Sequence, residues 1–406
     1  MKPQNTNPGP LAGIRVLEIA SMILGPLAGQ YLGDLGADVI KLEPPEGDLT
    51  RSIGPRRSPL MGSFFLSSNR SKRSIVVDLK KAEGQAILRS LLKDTDVLLH
   101  SLRTPAANKL GLDYETLKQI NPSIVYCHVT GYSDEGAYAG RPAYDDIGQA
   151  ASGLAQLQTA VAGQPRFMPS IFADKIGALH ASIGMLAAIA HRTATGQGQQ
   201  VEVPMFESLV AFNMAEHQWG FCFDPPIGPM GYQPVSTAAR RPYKTKDGYL
   251  ALLPYSDANW RSLFELAGEP QIMDDPRFST FAARQKHFRE VWDEIERQAA
   301  RKTNAEWLAL LSNADIPFSV VNSLEDLTRD PHLESVGFWT IAEHPSEGPL
   351  RFAASPVDLR TSPMRMTRMQ PNLGEHSAEI LRECGYDETS ITNLTATGGA
   401  CRGQDI

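Results

Sequence analysis

One run of sequence limits what this chain can become. From Ile176 to Ala190 only Gly177, His180, Ser182 and Gly184 are not hydrophobic. Such a run reads as helix. At 1.5 Å per residue it spans about 22 Å, short of the roughly 30 Å core of a bilayer. Apolar on every side, it is expected to be buried in a large soluble domain. Just ahead of it, Phe172-Ala173-Asp174-Lys175 sets a carboxylate where loop gives way to helix. Asp is a preferred N-cap residue, so capping is the first expectation for Asp174. A capping box wants Glu or Gln at position 177, where Gly177 stands. The missing side chain leaves room in the first turn for a substrate to approach. The helix dipole holds a carboxylate there ionised, and an ionised carboxylate beside a reactive acyl group can act as a covalent nucleophile.

Upstream, apolar strand patterns at 15–19, 38–42, 74–79, 96–100 and 123–129 alternate with helical patterns at 27–35, 82–92 and 114–120. Strand, helix and strand within about 30 residues make a βαβ unit, so a doubly wound, Rossmann-like parallel sheet is expected. The turn after the first strand reads Ala20-Ser21-Met22-Ile23-Leu24-Gly25-Pro26, without the GxGxxG of a dinucleotide site. A nicotinamide enzyme is therefore disfavoured. Ligands of such sheets sit outside the carboxyl ends of the strands, here 20–26, 43–48, 101–104 and 130–144. Residues 51–73 hold six basic side chains (Arg51, Arg56, Arg57, Arg70, Lys72, Arg73) and no acidic one. That loop reads either as a solvated surface or as a seat for a polyanion such as the phosphates of a nucleotide-like cofactor.

The 406 residues suffice for one large or two medium domains. Composition turns Pro- and Gly-rich after 222, which marks a boundary. The expected division is a large domain over 1–222, a smaller α+β unit over 223–335, and a return to the large domain over 336–406 that ends in a loose tail. A net charge of −7 argues against nucleic acid as a partner. Four scattered cysteines without a CxxC pair, and nine histidines without HxH, HxxxH or HExxH spacing, argue against a disulfide framework or a metal site. No GxSxG elbow or GxxxxGK[ST] loop occurs. The opening MKPQNTNPGP is polar, so a cytoplasmic location without membrane attachment is expected.

Six segments, in order, resemble the class III CoA-transferase (CaiB/BaiF) family. They are LAGIRVLEIASMILGPLAGQYLGDLGADVIKLEPPEGDLTR, NRSKRSIVVDLK, DVLLHSLR, VTGYSDEGAYAGRPAYDDIGQAASG, FADKIGALHASIGMLAAIAHRTATGQGQQVEVPMFES and PNLGEHSAEIL. The resemblance implies an α/β fold with an inserted smaller domain, an interlocked homodimer, and Asp174 as nucleophile. It implies ping-pong transfer through aspartyl anhydride and aspartyl-CoA thioester intermediates, from an acyl-CoA to a small carboxylic acid, with no tightly bound cofactor. Contacts to coenzyme A carry over to Ser21, Ile23, Leu24, Asn69 and Lys72. They continue with Ser101, Leu102, Arg103, Lys109 and Tyr144. Formyl-CoA transferase differs, with Gln where Ile23 stands, Asn-Phe at Ser101-Leu102 and Arg at Pro44. Its glycine run is absent from Met230-Gly231-Tyr232-Gln233-Pro234. Arg240, Arg241 and Lys244 read either as a seat for a second carboxylate or as a solvated turn. The α-methylacyl-CoA racemases are the nearest alternative, but those resembling this chain have His where Tyr144 stands. A non-catalytic CoA-binding dimer, with Asp174 only a cap, is the other.

Overall fold

The computed structural model describes residues 9–233, 235–236 and 240–401. The chain divides into two compact units. The larger takes the chain to Gln156, then Arg166–Ala215, and resumes at Gly337; the smaller takes Leu157–Pro165 and Glu216–Val336.

The larger unit is built on a sheet of six parallel strands. These are β1 (Arg15–Ile19), β2 (Asp38–Glu43), β3 (Lys72–Val77), β4 (Val97–His100), β5 (Val125–Thr130) and β6 (Gln200–Pro204). Spatial order runs β3-β2-β1-β4-β5-β6. The chain winds outward from β1 to β3, then jumps back to lay β4 on the other side of β1. The gap between β1 and β4 is thus a topological switch point, where the loops leaving the two strands diverge and open a crevice. Strands such as β3 and β4 are buried on both faces, as parallel strands covered by helices must be, while the edge strand β6 is only partly buried. One face packs on Leu24–Asp34 and the long helix Phe172–Thr195, the other on Ala82–Lys93, Tyr114–Ile120 and Ser377–Glu383.

Two expectations about the chain need correction. The long helix covers 24 residues, about 36 Å at the helical rise, so by length and composition alone it suffices to cross a bilayer. It is also not buried all round. Ala173, Gly177, Ala181, Met185 and Ala188 face the core, while Leu179 and Ile183 are 47% and 64% exposed. The tail is not loose up to Cys401. Glu388–Thr397 is a helix capped by Asp387, and Ala400–Cys401 adds a seventh, antiparallel strand beside β3. Its Thr-rich composition hides this, because the helix buries little beyond Ile391.

The smaller unit, over the described residues, holds an antiparallel sheet of Tyr243–Lys244, Tyr249–Leu252 and Phe318–Val320. Helices including Asp257–Ala267, Phe288–Ala299 and Asn304–Leu311 pack on it around Trp260, Phe264 and Trp307. Arg241 is paired with Glu296 here. Pro234, in the Gly-Tyr-Gln-Pro stretch, and the ends 1–8 and 402–406 lie outside the described residues.

Candidate active site

A cleft of about 200 Å³ opens at the switch point. Its walls are the turn after β1 (Ser21, Met22), the loop after β4 (Ser101 to Thr104) and the loop after β5 (Gly131, Asp134, Arg141, Tyr144). Leu24 and Gly25, in the first turn of the helix Leu24–Asp34, also line it. A helix N-terminus facing a crevice favours anions. Asp174 reaches the same cleft from the start of the long helix.

The capping expectation for Asp174 is overturned. Ile171 stands at the N-cap without a side-chain cap bond, and Asp174 occupies the third helical position. The side chain that caps this helix comes from Asp145, 28 residues upstream of Ala173. Its Oδ1 accepts the backbone N–H of Ala173 at 2.7 Å and of Asp174 at 3.1 Å. Its Oδ2 accepts from Gln149 Nε2 at 2.6 Å, and Gln149 Oε1 accepts the Met168 N–H at 2.8 Å. One buried Asp–Gln pair thus anchors the chain leading into Asp174. Sequence reasoning passed over Asp145. The available signal was the doublet Asp145-Asp146, which opens a helix of its own.

With its cap supplied from elsewhere, the Asp174 carboxylate is free to face the cleft. Burial, and then the nearby charge of Asp145, raise its pKa to about 6. The dipole of its helix does not win here: the net environment disfavours the anion. At neutral pH the group is still mostly ionised, and it is more basic than an ordinary aspartate. Gly177 does not leave open space for a substrate either. A Cβ there would lie 2.6 Å from Leu24 Cδ1, so the absent side chain lets the two helices approach and keeps Leu24 at the cleft.

Of the residues anticipated to hold coenzyme A, Ser21, Leu24, Ser101, Leu102, Arg103 and Tyr144 line the cleft with Asp174. Ile23 lies behind the turn, 4% exposed. Lys109 is exposed at the end of Thr104–Lys109, outside the lining. Asn69 and Lys72 are fully buried. Lys72 Nζ lies 2.8 Å from Glu18 Oε2 and donates to Asn69 Oδ1 at 2.9 Å and to the Pro26 carbonyl at 2.7 Å.

Four of the six basic side chains of the loop, Arg51, Arg70, Lys72 and Arg73, are therefore held by carboxylates, while Arg56 and Arg57 donate to the Ser52 and Glu347 carbonyls. Arg51 forks onto Glu43, Arg70 onto Asp34, and Arg73 onto Asp38 and Glu383. Glu43 lies 8 residues before Arg51, and Asp34 and Asp38 lie 36 and 35 residues from their arginines, all outside the loop, so counting charges along the loop misses them. Beneath the cleft, Glu18 binds both Lys72 and Lys41, and Lys41 also donates to the Ala20 carbonyl at 2.8 Å. Burial works against the charge on Lys41, but Glu18, Asp48 and Glu43 together hold its pKa above the ordinary lysine value. Burial draws Lys72 down to about 8 against the pull of Glu18. Gly29 makes this layer possible, since a Cβ there would collide with Glu18. The layer holds both ends of the 20–26 turn, in which Met22 takes a left-handed φ of 67°. A braced turn of ordinary residues stands where a glycine-rich loop is absent.

Among the described residues no cluster of His, Cys, Asp or Glu is arranged to hold a metal ion.

A crevice at the switch point of a doubly wound sheet, lined by a helix N-terminus and Arg103, suits an anionic ligand. Comparison with known proteins narrows the class. The pattern of CoA-transferase family III matches residues 11–377, and the chain belongs to that family. It is 33% identical to the succinate–glutarate CoA-transferase of Agrobacterium fabrum, over 94% of this chain and 98% of that one. It is 31% identical to the succinyl-CoA:glutarate CoA-transferase of Mus musculus, over 96% and 90%. It is 29% identical to a formyl-CoA:oxalate CoA-transferase of Escherichia coli, over 95% and 98%. A CaiB/BaiF family protein from Brucella suis superposes with a TM-score of 0.81 at 30% identity, covering 93% of this chain and all of that one. The chain is thus a CoA-transferase, an enzyme acting on CoA thioesters and acids.

Proposed function

We propose that this enzyme transfers coenzyme A from an acyl-CoA to a small carboxylic acid through covalent intermediates on Asp174. The carboxylate attacks the donor thioester, and the C–S bond breaks to give a mixed anhydride and CoA thiolate. The thiolate attacks the aspartyl carbonyl, forms an aspartyl-CoA thioester and frees the donor acid. The acceptor carboxylate then attacks that thioester, and the steps reverse to release acceptor acyl-CoA and Asp174. Each attack exchanges one carboxylate or thiolate for another, so no net proton or electron is required. An acyl anhydride is more reactive than the thioester that forms it, which suits a carboxylate nucleophile.

The observation that carries this reading is the position of Asp174. It is a carboxylate of raised basicity, capped by another residue, at the floor of the switch-point cleft. Arg103 and the N-terminus of Leu24–Asp34 stand beside it to meet the anionic part of the thioester. Ser21, Ser101, Leu102 and Tyr144 complete the acyl-CoA contacts, and Ile23, Asn69 and Lys72 support them from behind. Lys109 acts at the outer edge.

The working form is a cytoplasmic homodimer without a resident cofactor. The exposed apolar stripe at Leu179 and Ile183 supports a second copy as its cover. The acids named in the relatives make dicarboxylates the first candidates. The test is incubation with 18O-labelled acceptor acid and acyl-CoA. Label should appear in Asp174 by peptide mass spectrometry, and an unlabelled Asp174 after turnover defeats the covalent route.

A further inference from the structure

Below the rim of the cleft lies a packed group of side chains that the transfer chemistry leaves unused. His100 ends β4, and His128 stands opposite it on β5. Their rings stack with centroids 4.5 Å apart and planes 12° from parallel. His100 is fully buried, and its Nε2 meets the Tyr126 hydroxyl at 2.7 Å. Burial, with His128 adding to it, draws its pKa down to about 3, so it is a neutral platform.

His128, 3% exposed, has an acceptor at each ring nitrogen. The Leu102 carbonyl lies 2.9 Å from Nε2, and an Asp134 carboxylate oxygen lies 3.3 Å from Nδ1. Asp134 is itself held. Thr104 Oγ1 donates to its carboxylate at 2.6 Å, and its backbone N–H donates to Glu202 at 2.6 Å. Leu102 and Thr104 belong to the loop after β4, and Asp134 to the loop after β5, so His128 joins two walls of the cleft. The residue after Leu102 is Arg103, exposed on the rim.

We propose, resting on the CoA-transfer reading, that His128 is a positioning residue. It braces the loop after β4 against the loop after β5 and so fixes where Arg103 meets the acyl-CoA. The brace acts on loops rather than on the strands beneath them. Its loss is therefore read in binding before it is read in the chemical step.

The test compares His128→Gln, Asp134→Asn and the double variant in the full-length protein, with Asp174→Ala as reference. Each single change is expected to raise KM for acyl-CoA about tenfold, with kcat within about twofold. The Kd for free CoA by calorimetry should rise in parallel. The double variant should be no worse than the worse single one, because both remove the same brace. Should His128→Gln fail to fold, Asp134→Asn, at the partly exposed end of the bridge, decides alone. An unchanged KM and Kd in the folded variants, or additive losses in the double, overturn the brace. Transfer that persists in Asp174→Ala defeats the covalent reading instead, and the calorimetric arm still reports on His128.

Discussion

Asp145 holds the backbone of Asp174, and at the same time its charge opposes the ionisation of that residue's side chain. Its Oδ1 accepts the Asp174 N–H at 3.1 Å. Its negative charge, after burial, is the second cause of the raised Asp174 pKa of about 6. One carboxylate thus places Asp174 and makes it more basic.

The first prediction concerns pH. Attack needs the Asp174 anion, so kcat/KM should fall on the acid side with a limb near pH 6. Asp145→Asn removes the neighbouring charge and can keep an oxygen for the two N–H groups. It should move the limb to lower pH, while burial keeps it above the ordinary aspartate value. Steady-state pH profiles check this, and an unmoved limb would show that burial alone sets the basicity.

Stability gives a second, independent reading of the same shift. A carboxyl whose folded pKa is raised destabilises the fold when ionised. That cost is absent below about pH 4, grows as pH rises through about 6, and is full above it. Asp174→Asn should therefore melt higher than wild type at pH 7.5 and alike near pH 4. Allowing for partial solvent screening, the gain is about 1 kcal/mol, or about 2 °C. In the same preparation transfer should drop by at least about 10³-fold. A variant that melts higher yet transfers at the wild-type rate would leave Asp174 without a chemical role.

Much of the architecture was legible in the sequence, because it rests on local periodicity. Five of the six parallel strands fall within about two residues of the patterns read for them, and the loops at their carboxyl ends were named from chain order alone. What was not legible depends on partners distant in sequence. Asp145 reaches Ala173 across 28 positions, and Arg51, Arg70, Lys72 and Arg73 of the 51–73 loop find carboxylates on other strands and helices. Gly177 looked like space for a ligand because Leu24, which fills it, lies 153 residues earlier.

That distinction yields a third prediction. Lys72→Met should act on folding, because it leaves Glu18 buried against a single remaining lysine, Lys41. Breaking a buried pair costs about 3–5 kcal/mol. Arg103→Ala, on the rim, should leave the melting temperature near wild type and raise KM for acyl-CoA about tenfold, with a weaker salt dependence. Denaturant titration and kinetics at two salt concentrations separate the two effects.

A fourth prediction tests the Gly177 contact. Gly177→Ala gains about 1 kcal/mol in helix propensity, but its methyl lies 2.6 Å from Leu24 Cδ1 and pushes that side chain. Leu24 lines the cleft, so KM for acyl-CoA should rise a few-fold with little change in thermal stability. Leu24→Ala in the same background should relieve the crowding, and a double-mutant cycle measures the coupling.

A fifth concerns the exposed stripe. Ile183→Glu places a charge on the uncovered apolar face of the long helix. Sedimentation at micromolar concentration should show the wild type as a dimer and the variant shifted toward monomer. A wild-type monomer would leave the stripe to another partner.

The two-residue strand at Ala400–Cys401 pairs antiparallel with Val77 and Val76 on β3. Before it docks, β3 is the bare rim of a parallel sheet, a row of unpaired amides open to any passing chain. The piece that covers this rim is synthesised more than 300 residues after the strand it protects. Newly made protein thus passes through an interval in which its most apolar sheet has an unsheathed margin. A truncation or bulky fusion just after residue 398 would prolong that interval, so low yield from such a product would reflect self-association during synthesis rather than damage to the switch-point cleft.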